Sequence, residues 1–199
     1  MLLKNRAASP ANRLWHAFGA GTRAGSGFAA QHAWPEAGES RPLRLFIRQP
    51  LTESGQAQQD LIAAVLERID EHNGAPRSFR YLTGRQAESA ETFRGSFESE
   101  SGQPFTPQNF RAWRLNLLAQ AQAFVNIRVG MSESSAFELS YHVFKGACTP
   151  VLFLVWKHAP IKTTLLKDLG NLCDVTYVEF ERADDVRDSV GAFFRRLAH

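Results

Sequence analysis

Ala123-Phe-Val-Asn-Ile-Arg-Val-Gly-Met-Ser-Glu-Ser-Ser-Ala-Phe-Glu-Leu-Ser-Tyr141 is the stretch on which the fold turns. Residues 123–129 are mostly apolar and read as a buried strand. Gly130 breaks the run, and a serine-rich turn follows. Residues 134–145 then read as a helix that stops at Gly146. Strand, glycine and serine turn, then helix is one half of a βαβ unit.

The same alternation continues downstream. Residues 151–156 are a purely apolar strand, 163–169 a helix stopped by Gly170, and 175–180 another strand. Residues 184–197 form a helix with Val186, Val190, Phe193, Phe194 and Leu197 on one face. Upstream, Thr106 is an N-cap with Pro107 at the first helical position. That helix runs to about residue 122 through Phe110, Trp113, Leu117 and Leu118, and both Trp113 and Trp156 read as core. Residues 83–103 are polar, with scattered Gly and Ser, and read as a long loop with room for one helical turn: a functional lid or binding loop, or a disordered insertion. Residues 79–82 are a weak strand. Residues 56–72 carry Leu61, Ile62, Val65, Leu66 and Ile69 at helical spacing, closed by Asn73-Gly74. Residues 43–47 are a strand with Arg44 inside it.

Strands alternating with helices imply a parallel sheet covered on both faces. The expected fold class is therefore α/β: a flavodoxin-like, doubly wound sheet of five parallel strands in the order 2-1-3-4-5. Ligands of such sheets sit at the carboxyl ends of the strands. This directs attention to the loops 49–55, 130–135 and 157–162.

The rest of the chain sets bounds. Residues 1–42 lack a sustained period, and Ala, Gly, Ser and Arg dominate them. They read as a disordered leader or a targeting segment, with the folded domain spanning 43–199. The net charge is +3, from 23 basic and 20 acidic residues. Residues 1–42 hold Lys4, Arg6, Arg13, Arg23 and Arg41 against Glu36 and Glu39, which leaves 18 of each sign in the body. A neutral body argues against an extended nucleic-acid surface. The two cysteines, Cys148 and Cys173, read as buried free thiols. The six histidines and two cysteines show no metal-ligand spacing. No apolar run approaches the ~18 residues of a membrane span. The expected location is the cytoplasm, unless residues 1–42 direct the chain to an organelle or out of the cell.

Chemistry concentrates after the third strand. Ser132, Ser134 and Ser135 offer hydroxyls beside the free N–H groups of a helix N-terminus, a place suited to a phosphate. Glu138 follows about one turn into the helix. Its ordinary reading is a first-turn acid favoured by the helix dipole, with Ser134 as the N-cap. Arg48, ending the first strand, points at the ligand edge and suits a phosphate oxygen; a structural arginine is the competing reading. Tyr141 is placed to hold the Glu138 carboxylate or simply to pack. His142 reads as a solvated helix residue. Lys157, His158 and Lys162 read as a solvated basic turn.

Residues 123–141, with Gly146 and Pro150-Val-Leu-Phe, resemble the nucleoside 2-deoxyribosyltransferase superfamily, which includes nucleoside 5′-monophosphate N-glycosidases. That family has an Ala-Asp stretch, an apolar strand, a Gly/Ser/Asp-rich loop and an (Ala/Gly)-(Phe/Tyr)-Glu step. The resemblance implies that Glu138 is a nucleophile. It would attack the anomeric carbon, expel the base and form a glycosyl-enzyme ester, the logic of retaining glycosidases. It also implies that Ser132 binds a phosphate, which favours a nucleotide over a free nucleoside, with Gly130 and the serines forming the cradle. No metal or organic cofactor is implied, and a homodimer or larger assembly is.

The chain departs from the family at several points. An Asp that helps protonate the leaving base falls on Arg114, which cannot be a general acid. The Ala-Asp pair becomes Ala121-Gln122, and the first-strand glycine loop is Phe46-Ile47-Arg48-Gln49-Pro50. Glu133 and the acids of 83–103 are substitute acids. Three functions follow: N-glycosidase or glycosyl transferase, nucleotide-binding sensor, or flavodoxin-like interaction domain without a small ligand.

Overall fold

The computed structural model describes residues 41–50, 54–74, 77–83, 90–145, 149–159 and 169–197. Residues 1–40 of the expected leader, Cys148 and Lys162 lie outside them. Five strands form one sheet: β1 (Leu43–Arg48), β2 (Phe79–Tyr81), β3 (Ala123–Arg128), β4 (Val151–Trp156) and β5 (Val175–Phe180). Their order is 2-1-3-4-5, and every pairing is parallel. This is the flavodoxin-like α/β sheet that the alternating pattern predicts.

The central strand β3 is buried along its whole length. Its side chains alternate between two cores. On one face, Val125 and Ile127 join Ile62, Val65 and Ile69 of α1 (Gln56–Asp70) and Val190, Phe193 and Phe194 of α5 (Arg187–Leu197). On the other, Phe124 joins Phe46, Phe153 and Val155, under Leu118 of α3 (Pro107–Gln120) and Leu139 of α4 (Glu133–Phe144). The register sets Phe46 beside Phe124, Arg48 beside Asn126, and Arg128 beside Val155. The chemistry of the sheet's carboxyl edge therefore belongs to this second face.

Two expectations are revised in detail, and a third lies mostly outside the described residues. Residues 83–103 contain a helix, α2 (Ala90–Ser101). The cause is aromatic: Phe93 and Phe97, one turn apart, meet Phe105, Phe110 and Trp113 edge to face. Phe97 is only 1% exposed. Gly102, at φ 65°, ends that helix, and its N–H reaches the Glu98 carbonyl at 3.0 Å. The helix expected over 163–169 falls mostly outside the described residues, which resume in a single 3-10 turn, Leu169–Asn171. The last helix starts as a 3-10 turn, Ala183–Val186, because Asp185 accepts the N–H groups of Glu181 and Arg182 at 3.0 and 2.9 Å. The Thr106 cap forms as expected, with the Asn109 N–H on its hydroxyl at 3.1 Å. Among the described residues, no helix is long and apolar enough to cross a membrane.

Candidate functional site

The turn after β3 is closed by Ser132, not by Ser134. Ser132 is the N-cap of α4, in extended conformation, and accepts the Ser135 N–H at 3.3 Å. The cap shifts because Glu133, not Ser134, is the first helical residue. The three serines then divide their work. Ser135 is 2% exposed and donates its hydroxyl proton to Asn126 Oδ1 at 3.0 Å, so it ties α4 to β3. Ser132 and Ser134 face Arg48, whose Nη2 donates to Ser134 Oγ and to Ser132 Oγ at 3.4 Å. Just before Gly130, the Val129 carbonyl accepts from Gln58 Nε2 at 3.1 Å, which anchors the turn to α1.

Glu138 lies one and a half turns into α4 and points at the sheet, 5% exposed. Arg114 of α3 meets it with two nitrogens: Nε and Nη2 both stand 2.8 Å from Oε1. Arg48 Nε is 3.5 Å from Oε2. Arg114 is itself 7% exposed, and its guanidinium lies 4.6 Å from the centre of the Phe46 ring. Stacking on an aromatic face suits the weakly hydrated guanidinium. The residue standing where an acid was sought is thus the main partner of the carboxylate. Among the described residues, the polar contacts of Glu138 are with arginines alone.

Tyr141 does not reach Glu138. It is half-buried in the second core, with Lys145 Nζ 5.3 Å from its ring centre. His142 is not a solvated helix residue. It is 1% exposed, hydrogen-bonded through Nε2 to the Thr149 carbonyl at 2.9 Å, and edge-on to Phe124. It lies on the same α4 face as Leu139 and Glu138, which the fold turns inward. Burial pushes its pKa below the ordinary value, and the Thr149 bond opposes that only in part. Lys157 and His158 pair with Glu181 at 3.6 and 3.9 Å on the exposed surface. Trp113 and Trp156 are half-buried rather than central. Trp113 belongs to the α2–α3 aromatic cluster, and Trp156 donates to the Glu181 carbonyl at 3.3 Å. Cys173 is a half-buried free thiol, and burial raises its pKa.

Two polar residues of β3 escaped the reading from sequence. Asn126 is 0% and Arg128 4% exposed, on the same face as Phe124. Their signal was there: an amide and a cation inside a strand otherwise fit for burial on both faces. No group of three potential metal ligands occurs among the described residues.

With this geometry in place, the comparisons are informative about architecture. No protein-family model matches the chain, and no curated protein does. The solution structure of BlsM is similar at a TM-score of 0.53 and 15% identity, over 77% of this chain and 90% of that one. The CMP N-glycosidase BcmB of Clostridium botulinum follows at 0.48 and 11%, over 75% and 98%. A 2-deoxyribosyltransferase from Bacillus psychrosaccharolyticus gives 0.40 and 14%, over 73% and 90%. The likeness is one of fold. An FMN-dependent NADH-azoreductase from Bacillus anthracis occurs among the matches as well, at a TM-score of 0.42 and 11% identity, over 80% of this chain and 100% of that one.

Proposed function

We propose that this chain binds a nucleotide or nucleoside at the carboxyl edge of its sheet and cleaves the N-glycosidic bond, with Glu138 as nucleophile. The observation that carries the reading is the position of Glu138: an inward-facing carboxylate one turn beyond a serine turn that shares Arg48 with it. In the deoxyribosyltransferase-like scheme, Arg114 fixes Oε1 and leaves Oε2 as the attacking oxygen. Oε2 bonds to the anomeric carbon as the C–N bond breaks, and the electron pair leaves with the base. Water then hydrolyses the ester and restores the carboxylate; a second base in place of water gives transfer. Arg114 cannot protonate the departing base. That proton comes from water or from an acid outside the carboxylate's own contacts.

Ser132, Ser134 and Arg48 receive the phosphate end of the ligand. Ser135 supports them through Asn126. Ser132 keeps its cap bond to Ser135 while offering the same oxygen to Arg48, so the turn is organised before any ligand arrives.

The reading extends to a homodimer. Phe137 and Phe144 lie two turns apart on α4 and are 52% and 84% exposed, and Met131, in the turn before the helix, is 50% exposed. Exposed aromatic rings spaced along one helix suit a second copy of the chain.

A second reading, nucleotide binding without turnover, is favoured by one observation: both Arg114 nitrogens engage the carboxylate that must attack. The test is incubation with nucleoside 5′-monophosphates, with free base followed by chromatography. The first reading expects base release that falls about a thousandfold or more in Glu138→Gln. Release that survives in the variant eliminates Glu138 as nucleophile. Binding with no release in wild type establishes the second reading.

A further inference from the structure

The amino edge of the sheet carries a feature of its own. Where β1 begins at Leu43, the ends of α1 and α5 leave a cavity of about 160 Å³. Five residue steps along β1 separate Leu43 from Arg48, so about 16 Å of strand lies between this cavity and the carboxyl edge. The walls divide by chemistry. Leu43, Phe194 and Leu197 are apolar, and His72, Arg77 and Arg195 are basic. Among the described residues, no acid lines the cavity.

The arginines of this region differ in how they are neutralised. Arg68 and Arg187 both pair with Glu71 and Asp184. Arg196 pairs with Asp174 at 3.0 Å. Arg77 and Arg195 meet no acid among the described residues. Arg77 donates from Nη1 to the Leu197 carbonyl at 3.1 Å, which caps α5 and fixes the guanidinium beside the cavity. Its Nε is buried with no hydrogen-bond partner. Capping a helix end therefore accounts for one nitrogen of Arg77 and not for the rest. Arg195, one turn after Gly191, is exposed.

Gly191 brings the basic groups together. A Cβ at this position would stand 2.8 Å from His72 Cε1 and 3.2 Å from Arg195 Nη1. The bare backbone of α5 lets the imidazole and the guanidinium approach the same spot. Glycine inside a helix is otherwise destabilising relative to alanine. His72 is held there through Nε2, which donates to the Arg187 carbonyl at 3.2 Å.

Size and wall chemistry define a ligand. An apolar cavity of roughly 150 Å³ takes up one benzene ring. The apolar wall suits a body of that size, and a guanidinium fork matches a carboxylate. We infer that this cavity binds a small organic anion, a carboxylate on a compact apolar body. Arg77 and Arg195 hold the carboxylate, and Leu43, Phe194 and Leu197 enclose the body. The site is separate from the one at Glu138 and does not rest on the nucleotide reading.

The test titrates benzoate into the isotope-labelled full chain and follows the backbone amide shifts. Acetate supplies the head alone, and benzyl alcohol a neutral body, at matched ionic strength. Benzoate should saturate at millimolar concentration, the scale for a ligand so small. It should shift the amides of Leu43, His72 and residues 191–197. Acetate and benzyl alcohol should each bind about tenfold or more weakly, since each lacks half of what the walls recognise. Arg195→Gln, on the exposed surface, should weaken benzoate about tenfold by removing a charge-assisted bond. Gly191→Ala should weaken it as well, by pushing His72 and Arg195 out of place. Should Gly191→Ala fail to fold, Arg195→Gln carries the test. Unchanged benzoate affinity in either folded variant overturns the inference. So does equal affinity for benzyl alcohol, a titration that never saturates, or a set of shifts centred on Arg48 and Glu138 instead.

Discussion

At the residue scale, the site is organised by what guanidinium groups can do. An arginine stays charged wherever it is placed. Arg114 is tolerated in the interior because the Phe46 ring covers one face and Glu138 takes its edge. The carboxylate is thereby oriented, and its Oε1 is occupied. His142 gives this scale its prediction. Its pKa in the folded protein is below the ordinary 6.5, because burial disfavours the cation. The folded state therefore binds fewer protons than the unfolded one as pH falls beneath 6.5, and stability is lost across that window. Above it the contribution is complete. Urea titrations from pH 7.5 down to 5 should show a falling unfolding free energy, and a His142→Gln variant should show a flatter profile over the same range. An identical slope in the variant would assign the loss to another group.

At the scale of elements, β3 and α4 were legible because hydrophobic run, glycine, serine turn and apolar helix stripe agree with one another. The cap was misplaced by two residues, since Ser132 and Ser134 are equally good capping types and only backbone geometry decides between them. Helix α2 was illegible for a different reason. Its polar run carries only Phe93 and Phe97 as a stripe, and their partners come from Phe105, Phe110 and Trp113, outside the helix. Tertiary contact, not propensity, makes the helix. Phe97→Ala should cost about 3–5 kcal/mol, read as a loss of denaturation midpoint. It should also raise amide exchange across α2 more than across β3. Equal protection in both would mean that the aromatic cluster is not what holds α2. Arg128 and Asn126 were visible as residues, but a strand's sequence does not say which of its polar groups lack partners.

At the scale of the molecule, the alternation implied a parallel sheet, and the order 2-1-3-4-5 is one of the few common solutions that crossover handedness leaves for five strands. The site did not follow as directly. It needs α3, α4, β1 and β3 at once, and the pairing of Glu138 with Arg114 joins residues on separate helices. Assembly is the property left to measure here. If a second copy covers α4, Phe144→Glu should shift the sedimentation coefficient from dimer to monomer at micromolar concentration while leaving the far-ultraviolet spectrum unchanged. A wild-type chain that already sediments as a monomer would remove the dimer from the proposal.

Among the described residues, the one planar head of Arg48 touches both the serine turn and Glu138. Nη2 reaches the hydroxyls of Ser132 and Ser134, while Nε approaches Glu138 Oε2. Whatever draws that head towards the serines loosens its hold on the acid, and whatever neutralises the acid releases the head. Thermodynamic linkage makes the exchange reciprocal. A ligand seated at the turn would thus be felt in the charge on the helix, and a substitution at one end of this shared side chain should be answered at the other.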